Sequence, residues 1–306
     1  MGKKKIRLMG LAIFGAFLCL SSSLALGQCN VSIGPTTFAS IQSAIGSVTD
    51  PYTRIDVNGT CNENLFISEL KDYLSIVGPA TIIGNPDKPV IQTIGKGIRI
   101  QDLTIRGGQD GIQVIRGGTA FIENNIIENS QRSGIILAMN SYAHILNNTV
   151  QGHPADGIVI TDNSTARIGV ISHDDQTIYL NTIQQNQYGV TVARSSYALI
   201  VGNTISGNTY DGVRIAKVSQ ADISYNTIDG NGRNGIFVTQ NSGVNLGRDN
   251  GETIFDFPNS STVGNGAYGL SCDIGGYADG RLGTLNSVDK KAATIFSKDC
   301  INSLIP

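Results

Sequence analysis

From Gly111 onward a glycine followed by an aliphatic residue recurs, at Gly111-Ile112, Gly134-Ile135, Gly157-Ile158, Gly189-Val190, Gly212-Val213, Gly235-Ile236 and Gly269-Leu270. Four of the six intervals are 23 residues, and the other two are lengthened by an inserted loop. A fixed period of this length means one supersecondary unit stacked on copies of itself, each burying an apolar face that it could not bury alone. The repeat constrains the fold before any local propensity is weighed. It does not name a reaction.

Counted from each glycine, the columns agree. Ile112, Ile135, Ile158, Val190, Val213 and Ile236 are followed two residues later by Val114, Leu137, Ile160, Val192, Ile215 and Val238. That is the period-2 alternation of a strand with one buried face. A second alternating pair runs through Ala120/Ile122, Ala143/Ile145, Ala166/Ile168, Ala198/Ile200 and Ala221/Ile223, and a third strand carries Ile127, Val150, Ile183, Ile205 and Ile228. Each coil thus holds three short strands. Ser141, Ser164, Ser196, Ser219 and Ser242 share one turn column, and Asn125, Asn148, Asn181, Asn203 and Asn226 share another. Stacked about 4.8 Å apart, identical polar side chains form hydrogen-bonded ladders. The asparagines are placed at a turn where positive φ is tolerated. The Asn column is read as structural, since a ligand site has no need of every coil.

A leucine-rich repeat is the rival, because Ala143-x-Ile145-x-x-Asn148-x-Val150 mimics its strand-and-asparagine signature. Its return segment would be helical, whereas here Gly-Ile-x-Val alternates as a strand. On these glycine-aliphatic and Asn-Thr-Ile columns the chain resembles the right-handed parallel β-helix proteins, the pectate-lyase-like superfamily and its PbH1-repeat members, over roughly residues 36–300. The resemblance implies an all-β fold: a single-stranded right-handed parallel β-helix, three short strands per coil, with the regular coils at about 97–269. It says little about activity, because one fold hosts many functions.

Residues 1–27 read as a secretory signal, with Lys3, Lys4, Lys5 and Arg7 at the charged start, an apolar core over 8–20 and a small-residue cleavage site ending at Gly27. The apolar run is too short to span a membrane, and Gln28 argues against a lipoprotein reading at Cys29. The domain is then 28–306, with no transmembrane segment, exported to the periplasm or beyond, and a monomer. Cleavage leaves 18 Lys and Arg against 24 Asp and Glu, a formal charge of −6 that argues against nucleic acid as partner. In an exported chain the four remaining cysteines, two near each end, suggest Cys29–Cys61 and Cys272–Cys300 bridges, with buried free thiols as the alternative. The pairs lack metal-ligand spacing and His144, His153 and His173 are scattered, so no metal site is expected. Residues 36–45 read as a short helix capping the open lower end of the stack, where bare strand edges would otherwise pair with other chains.

Two insertions interrupt the repeat just after the second strand. One is 169–180, containing Ser172-His173-Asp174-Asp175; the other is 247–260, containing Arg248-Asp249-Asn250-Gly251-Glu252. Leaving one edge three coils apart, they are expected to stand about 14 Å from each other and wall a groove. Between them Arg194 and Lys217 share a column in adjacent coils, and Arg214 lies on an outward position nearby. A positive strip on an acidic protein suits an anionic chain such as a polyuronate, although solvated side chains would read the same. Catalysis, if there is any, is assigned to Lys217 or Arg194 as base with Arg214 on the uronate carboxylate. Asp222, Asp229, Tyr197, His173, Asp174 and Asp175 are assigned to substrate.

The resemblance implies lyases that use Arg or Lys beside calcium-holding aspartates, and hydrolases that use paired aspartates. This chain departs from both. Its Asp174-Asp175 pair is in a loop, the hydrolase-type Asn-Thr-Asp is Asn-Thr-Ile at 203–205 and 226–228, and no dense carboxylate cluster stands ready for calcium. His153-Pro154-Ala155-Asp156 reverses the Asp-Pro-His order of the alginate epimerases, and the absence of Trp leaves Tyr142 and Tyr197 as platforms for sugar rings. No cofactor is therefore expected. The function expected is binding of an acidic extracellular polysaccharide, with lyase, epimerase or hydrolase chemistry open to it. The alternative is a non-catalytic structural or adhesive module.

Overall fold

The structure is a computed structural model that describes residues 27–247, 253–288 and 301–305, the last as backbone. The repeat forms a parallel β-solenoid. The first strands of successive coils make one nine-stranded parallel sheet, from Leu65–Ile67 to Tyr268–Cys272. The other strands make an 18-stranded sheet, because three long early strands, Arg54–Asn62, Ser75–Gly84 and Ile98–Gly107, run through the corner that later parts second strands from third. Register follows the sequence columns. Ile135 pairs with Ile112 and Ile158, and Ala143 with Ala120 and Ala166. These inward side chains are almost fully buried, forming one continuous core.

The recurring glycine has a steric cause. A Cβ on Gly189 would lie 2.4 Å from the Gly212 carbonyl oxygen of the next coil and 2.7 Å from the Ile205 side chain. Gly212 meets Gly235 in the same way at 2.7 Å. Coils approach too closely here for any side chain.

Each corner carries an inward polar column. The Ser141 amide donates to Ser164 Oγ at 3.1 Å, and the pattern repeats to Ser242. The Asn125 amide donates to Asn148 Oδ1 at 2.9 Å, and the ladder runs on through Asn181, Asn203 and Asn226 to Asn259. The positive φ expected at these asparagines falls instead on the residue before, at Asn124, Asn147, Gly202 and Tyr225. The ladder side chains must point inward to bond, so their neighbours take the left-handed turn. A third column, His153, Asn186, Asn208, Asn231 and Asn265, lies between third and first strands. His153 Nε2 bonds the Ile127 carbonyl at 3.1 Å, as Asn186 Nδ2 bonds the Val150 carbonyl at 3.2 Å. The ring stands in for an asparagine.

At the lower end the helix is Ile41–Ser47, shorter than the sequence suggested. Thr36–Phe38 is a strand paired antiparallel with Asn30–Ile33, since the β-branched pair of threonines follows a turn at Gly34 with φ +54°. Ser40 caps the helix, the Glu63 carboxylate accepts from the Ile41 and Gln42 amides, and Ile41, Ala44 and Ile45 close the core. Cys29 and Cys61 form a disulfide with Cα atoms 4.8 Å apart. Cys272 is buried, but Cys300 lies outside the described residues, as do 1–26 and Arg248–Glu252 of the second insertion. Among the described residues no helix is long and apolar enough to cross a membrane.

Candidate functional site

The outward positions of the first strands form the most elaborate open surface. Arg214, in register with Thr191 and Phe237, sits over the Tyr188 ring at 5.3 Å. Tyr188 and Tyr210 lie 5.2 Å apart, and Arg233 stands 5.9 Å from the Tyr210 ring and 5.7 Å from Phe237. Two guanidinium groups and three rings therefore form one run of contacts, Arg214–Tyr188–Tyr210–Arg233–Phe237, with each guanidinium held over an aromatic face.

Two carboxylates underlie this surface. Asp156 accepts a hydrogen bond from the Thr191 hydroxyl, and burial raises its pKa against the opposing effects of that bond and of Arg214. Asp211 Oδ1 accepts from the Asn234 amide at 3.1 Å and side chain at 2.7 Å, while burial raises its pKa. Its Oδ2 and the Arg214 Nε are both buried without a hydrogen-bond partner among the described residues.

At the corner after the first strands, Arg194 pairs with Asp162 at 3.3 Å, and Lys217 occupies the same exposed column one coil on, with φ +57°. The three sequence-predicted cations thus lie on the first-strand face and its following corner.

The insertions lie elsewhere, over the second-strand face, and they do not stand apart as expected. The His173 and Phe255 rings are 4.7 Å from each other, and the Ile254 amide donates to Gln176 Oε1 at 3.1 Å. The reason is apolar. Val170 and Ile178 from one loop and Ile254, Phe255 and Phe257 from the other close over outward Leu199 and Val201 to make a second small core. Arg214 is therefore not between the insertions.

The remaining predicted residues are spread over that face and the next. Asp222 accepts from the Tyr197 hydroxyl at 2.6 Å and from Asn245 at 2.8 Å, under a cavity of about 190 Å³ that His173 also lines. Burial, then Asp222, pushes the Tyr197 phenol up. Asp175 accepts from the Thr177 amide at 2.9 Å, and its hydrogen bonds with Thr177 hold it below its ordinary pKa. Asp174 is exposed beside it. Asp229 is on the third strand with its oxygens engaged by the Thr262, Val263 and Gly264 amides. Burial acts to raise its pKa, but these bonds and the Thr262 hydroxyl together lower it.

Further along the second-strand face the Phe121 and His144 rings stack at 4.6 Å, and Tyr142 bonds His144 at 2.9 Å. Burial, then Arg167, lowers the His144 pKa to about 4. Among the described residues one group, Cys29, Cys61 and Glu63, brings three metal-ligand atoms together, but its sulfurs form the disulfide and its carboxylate caps the helix.

The sequence reading missed Tyr188, Tyr210, Arg233 and Phe237. Their signal was present, since each lies within two residues of a recurring glycine.

The sequence matches a family model described as the right handed beta helix region over residues 89–170 and 159–271. Among solved structures, a pectate lyase superposes with a TM-score of 0.49 at 11% identity, covering 80% of this chain and 74% of its own. A periplasmic alginate epimerase gives 0.49 at 14% identity, covering 85% and 80%. The A-module of a mannuronan C-5 epimerase from Azotobacter vinelandii gives 0.43 at 12%, covering 80% and 83%. No curated protein matches the sequence.

Proposed function

The chain belongs to the right-handed β-helix family, and from that premise we propose that it binds an acidic polysaccharide along the first-strand face and the corner carrying Arg194 and Lys217. The observation that carries this reading is the run of contacts that joins Arg214 and Arg233 to the rings of Tyr188, Tyr210 and Phe237. A sugar ring needs an apolar face to stack on, and a uronate carboxylate needs a guanidinium beside it. Successive coils offer both at steps of about 4.8 Å. The formal charge after signal removal is −6, so a strip rich in cations calls for a specific anionic ligand. The leader-like residues 1–27 and the Cys29–Cys61 bridge support a protein exported to the periplasm or beyond.

The side chains favour binding over turnover. Asp156 and Asp211 are enclosed and bonded to Thr191 and Asn234, and Arg194 is paired with Asp162. If the chain is cleaved or epimerised, Lys217 is the better base, because an ammonium loses its proton more readily than a guanidinium. Arg214 then holds the carboxylate beside the carbon that is deprotonated.

Titration with polygalacturonate, alginate and neutral glycans tests the reading. Acidic chains should bind, and more weakly as salt rises. Arg194→Ala/Arg214→Ala/Lys217→Ala should remove the binding while the circular dichroism is retained. Unchanged affinity in that variant for every acidic glycan would leave the structural or adhesive module. Unsaturated-product and reducing-end assays decide whether turnover accompanies binding.

A further inference from the structure

The two insertions meet over the second-strand face, but at the corner toward the third strands they part and leave a groove of about 490 Å³, within the range of small-ligand sites. Ile178 and Leu180 form one wall and Pro258 the other, and Tyr225, Thr204 and Thr227 lie on the floor. Among the described residues that line it, none is Asp, Glu, Lys, Arg or His. We infer that this groove is a second carbohydrate site, for a neutral sugar residue, distinct from the cationic face.

Three features select that ligand. Tyr225 is 49% exposed and the Phe257 ring packs against its ring at 5.2 Å, tilted by 59°, so a fixed aromatic face is offered to the groove. A column of outward hydroxyls, Thr204, Thr227 and Ser260, runs along the floor in parallel register. Thr227 and Ser260 are 3.5 Å apart and only part-buried, leaving their oxygens open to further bonds. Finally, the floor's backbone is already engaged. The amides of Gly202, Thr204, Tyr225, Thr227 and Ser260 all donate to neighbouring coils, and the Asn203 side chain belongs to the ladder.

A peptide strand, which binds by pairing its backbone with a free edge, finds none here. An anionic glycan or a phosphate finds no cation among the described residues that line it. What fits is a molecule with hydroxyls on its rim, an apolar face and no charge.

Calorimetric titration of the full chain with neutral gluco-, manno- and galacto-oligosaccharides tests the inference. At least one neutral series should bind, with affinity unchanged between low and high salt. Tyr225→Asn should weaken it about tenfold, since a lost stacking face costs up to about 1.5 kcal/mol. Asparagine tolerates the φ of +57° at this position, so the variant keeps its fold, which circular dichroism checks. Leu180→Asp, on the exposed wall, should also weaken binding. Arg214→Ala/Arg233→Ala should leave it untouched while reducing the binding of polyuronates.

The inference is overturned if no neutral series binds, if Tyr225→Asn binds like the parent, or if salt weakens the interaction. Loss in the arginine variant but not in Tyr225→Asn would also overturn it, moving the neutral ligand to the first-strand face. Failure with polyuronates alone touches only the acidic-polysaccharide reading.

Discussion

The first-strand and second-strand faces come from the same repeat, yet they end in opposite states. On the first, Tyr188, Tyr210, Arg214 and Arg233 remain in an open array. On the second, Leu199, Val201 and Tyr197 are roofed by two insertions and packed into a small core of their own. The difference does not lie in the strands, whose register is the same kind of parallel pairing on both faces. It lies in where the repeat admits extra residues. A solenoid fixes its inward columns by stacking and leaves its outward columns to be covered or used, and loop insertion decides which.

The severest test removes what the two faces share. Ile215→Asp under the open face and Ile200→Asp under the covered face should both abolish folding, because both side chains are fully buried and an unpaired buried charge costs about 3–5 kcal/mol. Soluble, protease-resistant protein from either variant would show that one wall of the core is not needed by the stack.

A smaller effect is expected at the corner that borders the open face. His153 is buried in the polar ladder and burial lowers its pKa from 6.5 to about 4. The unfolded chain therefore takes up the proton first, so stability is full above about pH 6.5 and falls as the pH drops toward 4. The loss for this one residue is about 3 kcal/mol. His144, on the second-strand face, is also lowered to about 4 by burial and adds a contribution of the same sign. His153→Asn should fold, because asparagine already fills this column at Asn186, Asn208 and Asn231. It should also flatten the dependence of urea midpoint on pH. If His153→Asn keeps the full slope, the covered face alone carries it.

The comparison also explains what could be seen in advance. Inward columns were legible because stacking forces every coil to repeat them, so Ile112 predicts Ile135 and Asn148 predicts Asn181. The third ladder stayed hidden because Asn186 lies three residues before its glycine, whereas His153, Asn208, Asn231 and Asn265 lie four before theirs. The outer surfaces were less legible. Arg194, Arg214 and Lys217 could be placed by column, but no periodicity indicates that Phe255 reaches across two coils to His173. That contact depends on loop residues that occur once each.

Covering a face should contribute measurable stability. Ile254, 8% exposed, anchors the roof, and Ile254→Ala should cost about 2 kcal/mol, the low end for a buried aliphatic truncation because a small cluster can collapse. Tyr210, 36% exposed on the open face, should cost no more than about 0.5 kcal/mol when changed to alanine. Equal costs in thermal or urea unfolding would mean that the open array is as well packed as the roofed one.

The finest distinction lies along the open face and its corner, between Arg194, which is ion-paired, and the arginines held over rings. Arg194 and Asp162 form an ion pair with side chains 58% and 37% exposed, the kind of pair that contributes at most about 1 kcal/mol to stability. Arg194→Ala should therefore leave the unfolding midpoint nearly unchanged. The same pairing holds back part of the arginine's charge from any anionic ligand. Asp162→Asn keeps the size of the side chain and removes the competing carboxylate, so it should tighten polyuronate binding, by about two- to fivefold at low salt. Arg194→Ala should weaken the same binding, and combining the two changes should give the affinity of Arg194→Ala alone. Tightening that persists in the double variant would mean that Asp162 repels the ligand directly, and that Arg194 takes no part in holding it.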